Sequence, residues 1–159
     1  RAPGLDRSFA AQKWKNMDSK LWLEAGDEAM DKEFHGHYDI WGGDIDPAAV
    51  ELARHNAELA GVEDCIRFEV ADAGKFHRDS EYGQLVTNPP YGERLLEKKE
   101  AEDLYRMFGA ALRDLPPKWR VLVLSSHTEF ERAFGRPADK KRKLYNGMLK
   151  CDLFMYGIK

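Results

Sequence analysis

Asn88-Pro89-Pro90-Tyr91 stands directly after the short apolar run Leu85 to Thr87, and these residue types in this order suit moving a methyl group onto an amino nitrogen. An exocyclic amine on a nucleobase is a poor nucleophile, because its lone pair is delocalised into the ring. It needs acceptors placed on its N–H hydrogens rather than a strong base. The Asn88 side chain and the Pro89 carbonyl supply such acceptors. Two consecutive prolines hold φ at about −65° and keep the residue before them out of the helical region, which fixes where those groups point. Tyr91 adds a face on which a planar base can stack. The same tetrapeptide also fits an ordinary turn, in which Asn bonds its own backbone and proline shapes the chain, so its weight depends on its surroundings.

Those surroundings are acidic strand ends. Asp44, with Asp46 close behind, ends one apolar segment, and Asp72 ends the next. In open α/β sheets ligands bind outside the carboxyl ends of the strands. A carboxylate there can accept two hydrogen bonds from the hydroxyls of a ribose, which is the role expected of Asp44. Ile45 can cover one face of an adenine ring, Asp72 can accept from the adenine amino group, and the backbone N–H of Ala73 can reach a ring nitrogen. Asp46, followed directly by Pro47, reads instead as a helix N-cap. Asp44 and Asp72 taken singly are also common turn residues. Their occurrence with Asn88 to Tyr91 one strand later favours a nucleoside site beside a methyl-acceptor site.

Alternating strands and helices must position these residues, and from Tyr38 onward the pattern indicates an α/β fold with a largely parallel sheet. Strands are expected at Tyr38 to Gly43, Cys65 to Val70, Gln84 to Thr87 and Arg120 to Ser125, the last an apolar Val-Leu-Val-Leu run suited to burial on both faces. Asp46-Pro47 opens a helix that Gly61 closes, with Val50, Ala53, Ala57 and Ala60 inward. Ala101, Leu104, Tyr105, Phe108, Ala111, Leu112 and Leu115 form the apolar stripe of a second helix, stopped by Pro116-Pro117. A short helix is expected from Thr128 to Phe134. Lys140 to Tyr145 and Leu149 to Ile158 flank Asn146-Gly147, a hairpin signal that predicts an antiparallel pair at one sheet edge. Before Tyr38, Asp18 caps an expected helix with Trp22, Ala25 and Ala29 inward, and irregular chain carries Phe9 and Trp14 as aromatic anchors.

Other constellations are weaker. His35-Gly36-His37 lacks a third ligand at suitable spacing, so no metal site is expected. His127 follows Ser125-Ser126 without a nucleophile-elbow pattern, which argues against a catalytic triad. Lys140-Lys141-Arg142-Lys143 fits either RNA phosphates or an edge strand protected against aggregation. At 159 residues the length fits one domain, and 25 basic against 28 acidic residues, a net charge of −3, argue against a module that grips nucleic acid mainly through a basic surface. Cys65 and Cys151, far apart, indicate neither a disulfide framework nor a zinc site. They fit a reducing cytoplasm, and neither a signal peptide nor an apolar run of about 20 residues is visible.

The chain resembles the RNA methylases whose better-known members act on the N2 amino group of a guanine in large-subunit ribosomal RNA. The resemblance rests on Ala2-Pro3-Gly4-Leu5-Asp6-Arg7-Ser8-Phe9 with Lys13-Trp14, on Gly43-Asp44-Ile45-Asp46-Pro47, and on Thr87 to Leu95, Thr-Asn-Pro-Pro-Tyr-Gly-Glu-Arg-Leu. Asn-Pro-Pro-Tyr is shared with DNA adenine and protein glutamine methyltransferases, which remain alternatives, whereas Gly92-Glu93-Arg94 points to the RNA group. The resemblance implies a Rossmann-like class I fold, S-adenosylmethionine as cofactor and RNA as partner. It implies Asn88, Pro89, Pro90 and Tyr91 as catalytic residues, and Asp44, Ile45, Asp72, Ala73 and Asn88 as cofactor-binding ones. Members carry a strand and Gly-rich loop before the Ala-Pro-Gly-Leu segment. The expectation is therefore a sheet incomplete on its N-terminal side, in the C-terminal portion of a longer enzyme's catalytic domain, with an inactive or nucleoside-binding fragment as a further alternative.

Overall fold

The structure, a computed structural model, describes residues 4–5, 7–34, 36–92 and 95–158, without the side chains of 95 and 96. The Ala2-Pro3 and Asp6 positions of the first motif, His35, and the Glu93-Arg94 continuation lie outside the described residues. The chain divides into two compact units, residues 1–40 and 41–159.

In the first unit, helix α1 (Ser19–Asp31) opens on Asp18, whose carboxylate accepts the Lys20 N–H at 2.9 Å. The predicted inward face is only partly covered: Trp22 and Ala29 are half-buried and Ala25 is exposed. Phe9 does act as an anchor, stacked on Trp22 at 5.6 Å, whereas Trp14 is exposed. The Tyr38 hydroxyl donates to the Phe34 carbonyl, and the two rings meet edge-on. The first strand begins at Ile40, two residues later than the expected Tyr38.

The second unit is α/β, as the alternation predicts. The elements from the boundary residue Ile40 onward are β1 (Ile40–Asp44), α2 (Pro47–Leu59), β2 (Ile66–Val70), β3 (Tyr82–Thr87), α3 (Leu95–Ala111), β4 (Lys118–Ser125), α4 (Phe130–Phe134), β5 (Lys140–Asn146) and β6 (Leu149–Tyr156). They pair as two sheets, β1-β2 and β3-β4-β6-β5. β3 and β4 are parallel, with Leu85 opposite Val121 and Thr87 opposite Val123. β6 runs antiparallel to both β4 and β5, and the Asn146-Gly147 turn closes the β5–β6 hairpin as expected, with Gly147 at φ +62°.

The core lies on one face of the larger sheet. Val121 and Val123 of β4 and Phe154 and Tyr156 of β6 pack against Ala101, Tyr105 and Phe108 of α3 and against Phe130, Ala133 and Phe134 of α4. Phe130 sits 4.5 Å from Phe154 and 4.9 Å from Tyr105, ring to ring. Gly109 lets α3 come this close, because a Cβ there would stand 2.0 Å from the Phe134 carbonyl oxygen. On the opposite face Leu122 and Leu124 are only half-buried and Val86 is 66% exposed, so β4 is covered on one side rather than two. In α2, Val50 and Ala57 are buried, Ala53 half-buried and Ala60 exposed.

Candidate active site

The Asn88 turn begins where β3 ends and is fixed from below by α3. Tyr105, fully buried at 0% exposure, donates its hydroxyl to the Pro90 carbonyl at 2.5 Å, and the same oxygen lies 3.4 Å from Ser125 Oγ. Ser125 in turn accepts the His127 N–H at 3.1 Å. Burial pushes the Tyr105 phenol up, so it stays protonated and donates. The chain leaves the turn through Gly92 at φ +68°, where a Cβ would fall 2.6 Å from the Lys98 Cα. Glycine alone satisfies both the left-handed backbone and the close passage of α3.

Tyr91 folds its hydroxyl back onto Asn88, donating to Oδ1, with Asn146 Nδ2 3.4 Å and Cys151 Sγ 3.8 Å away. Burial raises the Tyr91 phenol above its ordinary range, which keeps it a donor. An amide oxygen has two acceptor positions, so Asn88 Oδ1 can hold Tyr91 and still receive an N–H from a second partner. A cavity of roughly 400 Å³ opens between Pro90, Tyr91 and Gly92 on one side and Glu97, Glu100 and Leu104 on the other. Its size suits a small organic group.

The two acidic strand ends lie side by side, since the Ala71 N–H donates to the Asp44 carbonyl at 2.8 Å. Each carboxylate spends one oxygen on its own turn: Asp44 Oδ1 accepts the Asp46 N–H at 2.9 Å, and Asp72 Oδ1 accepts the Gly74 N–H at 2.8 Å. Asp46 caps α2 through the Ala48 N–H at 2.9 Å, as its position before Pro47 predicts. The second oxygens of Asp44 and Asp72 have no hydrogen bond among the described residues. Ile45 is 69% exposed, and Ala73 opens a single 3-10 turn whose first N–H groups have no partner within it. One open oxygen on each carboxylate, an apolar side chain and the Ala73 N–H are the donor and acceptor set a nucleoside requires. Gly74 packs where a Cβ would be 3.1 Å from the Met107 Cβ, so α3 carries both the Asp72 turn and, through Tyr105, the Asn88 turn. Sequence periodicity placed Tyr105 inward but had no signal for this link.

His127 belongs to the buried scaffold, not to a triad. Its Nδ1 accepts the Glu129 N–H at 3.1 Å, and Nε2, which has no hydrogen-bond partner among the described residues, lies 3.5 Å from a Glu102 carboxylate oxygen. Burial lowers its pKa below the ordinary 6.5, with Glu102 opposing. Among the described residues no group of three or more His, Cys, Asp or Glu could hold a metal ion, and no helix is long and apolar enough to cross a membrane. His37 is exposed.

A family model described as RMKL-like, methyltransferase domain, matches residues 1–154. The chain belongs to this family. The Bacillus subtilis protein named "Putative RNA methyltransferase YpsC" is 42% identical over 159 residues, 98% of this chain and 40% of that protein. The ribosomal RNA large subunit methyltransferase K/L of Shewanella baltica is 39% identical over 160 residues, 98% of this chain and 23% of the enzyme. The crystal structure of SMU.472, complexed with SAH, superposes with a TM-score of 0.90 at 41% identity, covering 97% of this chain and 41% of that one. The family and these neighbours bear out the class I methyltransferase fold. The chain spans less than half the length of each of these relatives.

Proposed function

We propose that this chain is part of the catalytic domain of an S-adenosylmethionine-dependent methyltransferase that acts in the cytoplasm on an exocyclic amino nitrogen of RNA, foremost guanine N2 of large-subunit ribosomal RNA. The observation that carries the reading is the Asn88 turn at the end of a parallel strand, pinned at Pro90 and set beside a cavity. Family membership, the SAH complex of a neighbour and the RNA-directed names of two relatives support it. When bound, S-adenosylmethionine supplies a methyl group already activated by its sulfonium. Asp44 holds the ribose hydroxyls, Ile45 covers the adenine, and Asp72 with the Ala73 N–H meets its polar edge. The target base leaves its stack, at a cost of a few kcal/mol, and rests on Tyr91. Asn88 Oδ1 and the Pro89 carbonyl accept the amino hydrogens and aim the nitrogen lone pair, while Pro90 keeps the turn rigid. Acceleration comes mainly from this positioning, which in well-oriented systems supplies roughly 7–11 kcal/mol.

The first test is calorimetric titration with S-adenosylmethionine, followed by transfer of a tritiated methyl group to RNA, DNA and protein. Asn88→Ala is expected to abolish transfer and to change cofactor affinity by less than about tenfold, since positioning rather than cofactor binding is lost. Persisting transfer in that variant removes the assignment, and labelling of DNA or protein in place of RNA replaces the substrate.

A further inference from the structure

The β5–β6 hairpin carries a charge pattern that the transfer chemistry leaves unused. From Lys140 to Lys150 the chain has five basic residues, Lys140, Lys141, Arg142, Lys143 and Lys150, and no acidic one, although the whole protein is acidic at −3. Lys141 is engaged, with Nζ 2.7 Å from Glu131 Oε2. The other four are exposed and make no ion pair among the described residues, including Lys143, which stands opposite Asp152 in the ladder. Side chains alternate along a strand, so Lys143 and Tyr145 share one face of β5 and Arg142 the other, while Lys150 of β6 stands opposite Tyr145. Tyr145 is 70% exposed, and Met148 in the turn is fully exposed. The tip adjoins the reactive turn, since Asn146 Nδ2 lies 3.4 Å from the Tyr91 hydroxyl.

Lysines on an edge strand block strand addition, which accounts for β5 alone. It does not account for Lys150 on the inner strand, nor for an exposed tyrosine and methionine set among the charges, since these add apolar surface where protection requires less. Cations flanking an open aromatic ring match a single nucleic-acid strand, with phosphates on the charges and a base on the ring. Resting on the function proposed above, we propose that the hairpin Lys140–Lys150 holds the RNA strand flanking the target nucleotide, with Lys143 and Lys150, which share a face with Tyr145, on phosphates and Tyr145 under a base.

The test is fluorescence anisotropy of a labelled 12-nucleotide single-stranded RNA, titrated with the protein at several salt concentrations. Replacing Lys143 and Lys150 together by Gln is expected to weaken binding by about tenfold and to lower the log–log salt slope by about 1.4, each phosphate contact on a single strand being worth roughly 0.7. Tyr145→Ala is expected to weaken binding by about tenfold with the slope unchanged. Removing two charges elsewhere, at Lys13 and Lys15, should leave binding as it was, and all variants should keep the wild-type melting temperature. A hairpin variant with wild-type affinity and slope overturns the proposal. So does an equal loss in the control variant, or a wild-type protein that binds no RNA. Hairpin-dependent RNA binding without methyl transfer would instead remove only the proposed reaction, and RNA methylation without hairpin dependence would remove only this surface.

Discussion

Tyr105→Phe removes one atom that ties the reactive turn to the core. The substitution keeps the ring, which packs edge-on against Phe130 at 4.9 Å and His127 at 5.5 Å, and deletes the hydroxyl that donates to Pro90 at 2.5 Å. No cavity forms, so the roughly 3–5 kcal/mol cost of truncating a buried aromatic does not apply. What is lost is one neutral hydrogen bond, about 0.5–1.5 kcal/mol net, together with a polar neighbour of the buried Ser125, whose oxygen still accepts the His127 N–H. Pro90 is an exposed residue, so water can reach its surroundings and the penalty for an unpaired carbonyl stays small. The sum is about 1–1.5 kcal/mol, or a fall in melting temperature of about 3 °C for a domain of this size. The effect on rate should be larger, because a misplacement of about 1 Å costs up to a hundredfold: kcat is expected to fall about tenfold while affinity for S-adenosylmethionine is unchanged. Thermal melts and single-turnover methyl transfer measure the two quantities. A variant with wild-type melting and wild-type kcat would refute the claim that Tyr105 holds the turn.

Two further outcomes follow from the scaffold. Because burial holds the folded His127 pKa below 6.5, the unfolded chain takes up a proton that the folded chain refuses. Stability from this residue is therefore complete above pH 6.5 and falls as the pH drops from there toward the folded value. Urea midpoints at pH 7.5 and pH 5.5 should show the decline, and His127→Gln should reduce it; an unaltered decline in that variant would assign it to other groups. Gly109→Ala would ordinarily strengthen a helix by about 1 kcal/mol. Here the added carbon meets the Phe134 carbonyl oxygen at 2.0 Å, so a net loss of about 1–3 kcal/mol is expected by urea unfolding, and a more stable variant would show that α3 and α4 can separate at no cost.

Local signals made most elements legible. Asp46-Pro47 and Gly61 bracketed α2 and Asn146-Gly147 set the hairpin, each through backbone chemistry that acts within a few residues, whereas α3 ends at Ala111 and passes into a 3-10 turn, Leu112–Asp114, before it reaches Pro116-Pro117. Burial was legible only where a partner covers the face. The Val-Leu-Val-Leu run of β4 is apolar on both sides, yet Val121 and Val123 are buried while Leu122 and Leu124 are half-covered, because α3 and α4 lie on one side. The same gap left Ala25, Ala60 and Trp14 exposed against expectation. In the candidate site, residue types named the Asn88 turn and the acidic strand ends. The choice between turn and ligand for Asp44 and Asp72 needed atoms, since one oxygen of each serves the turn and leaves the other open. The Tyr105–Pro90 bond joins residues 15 apart through a helix face, and no spacing rule announces it.

Cys151 turns the Tyr91 contact into a chemical clock. Its thiol is 1% exposed and lies 3.8 Å from the Tyr91 hydroxyl, so an alkylating reagent reaches it only when the surrounding contacts open. Cys65, half-buried in a different part of the chain, supplies an internal reference in the same sample. The ratio of the two labelling rates thus reports how often the packing around Cys151, the Tyr91 contact included, opens, and any molecule that settles on the aromatic ring should slow the clock.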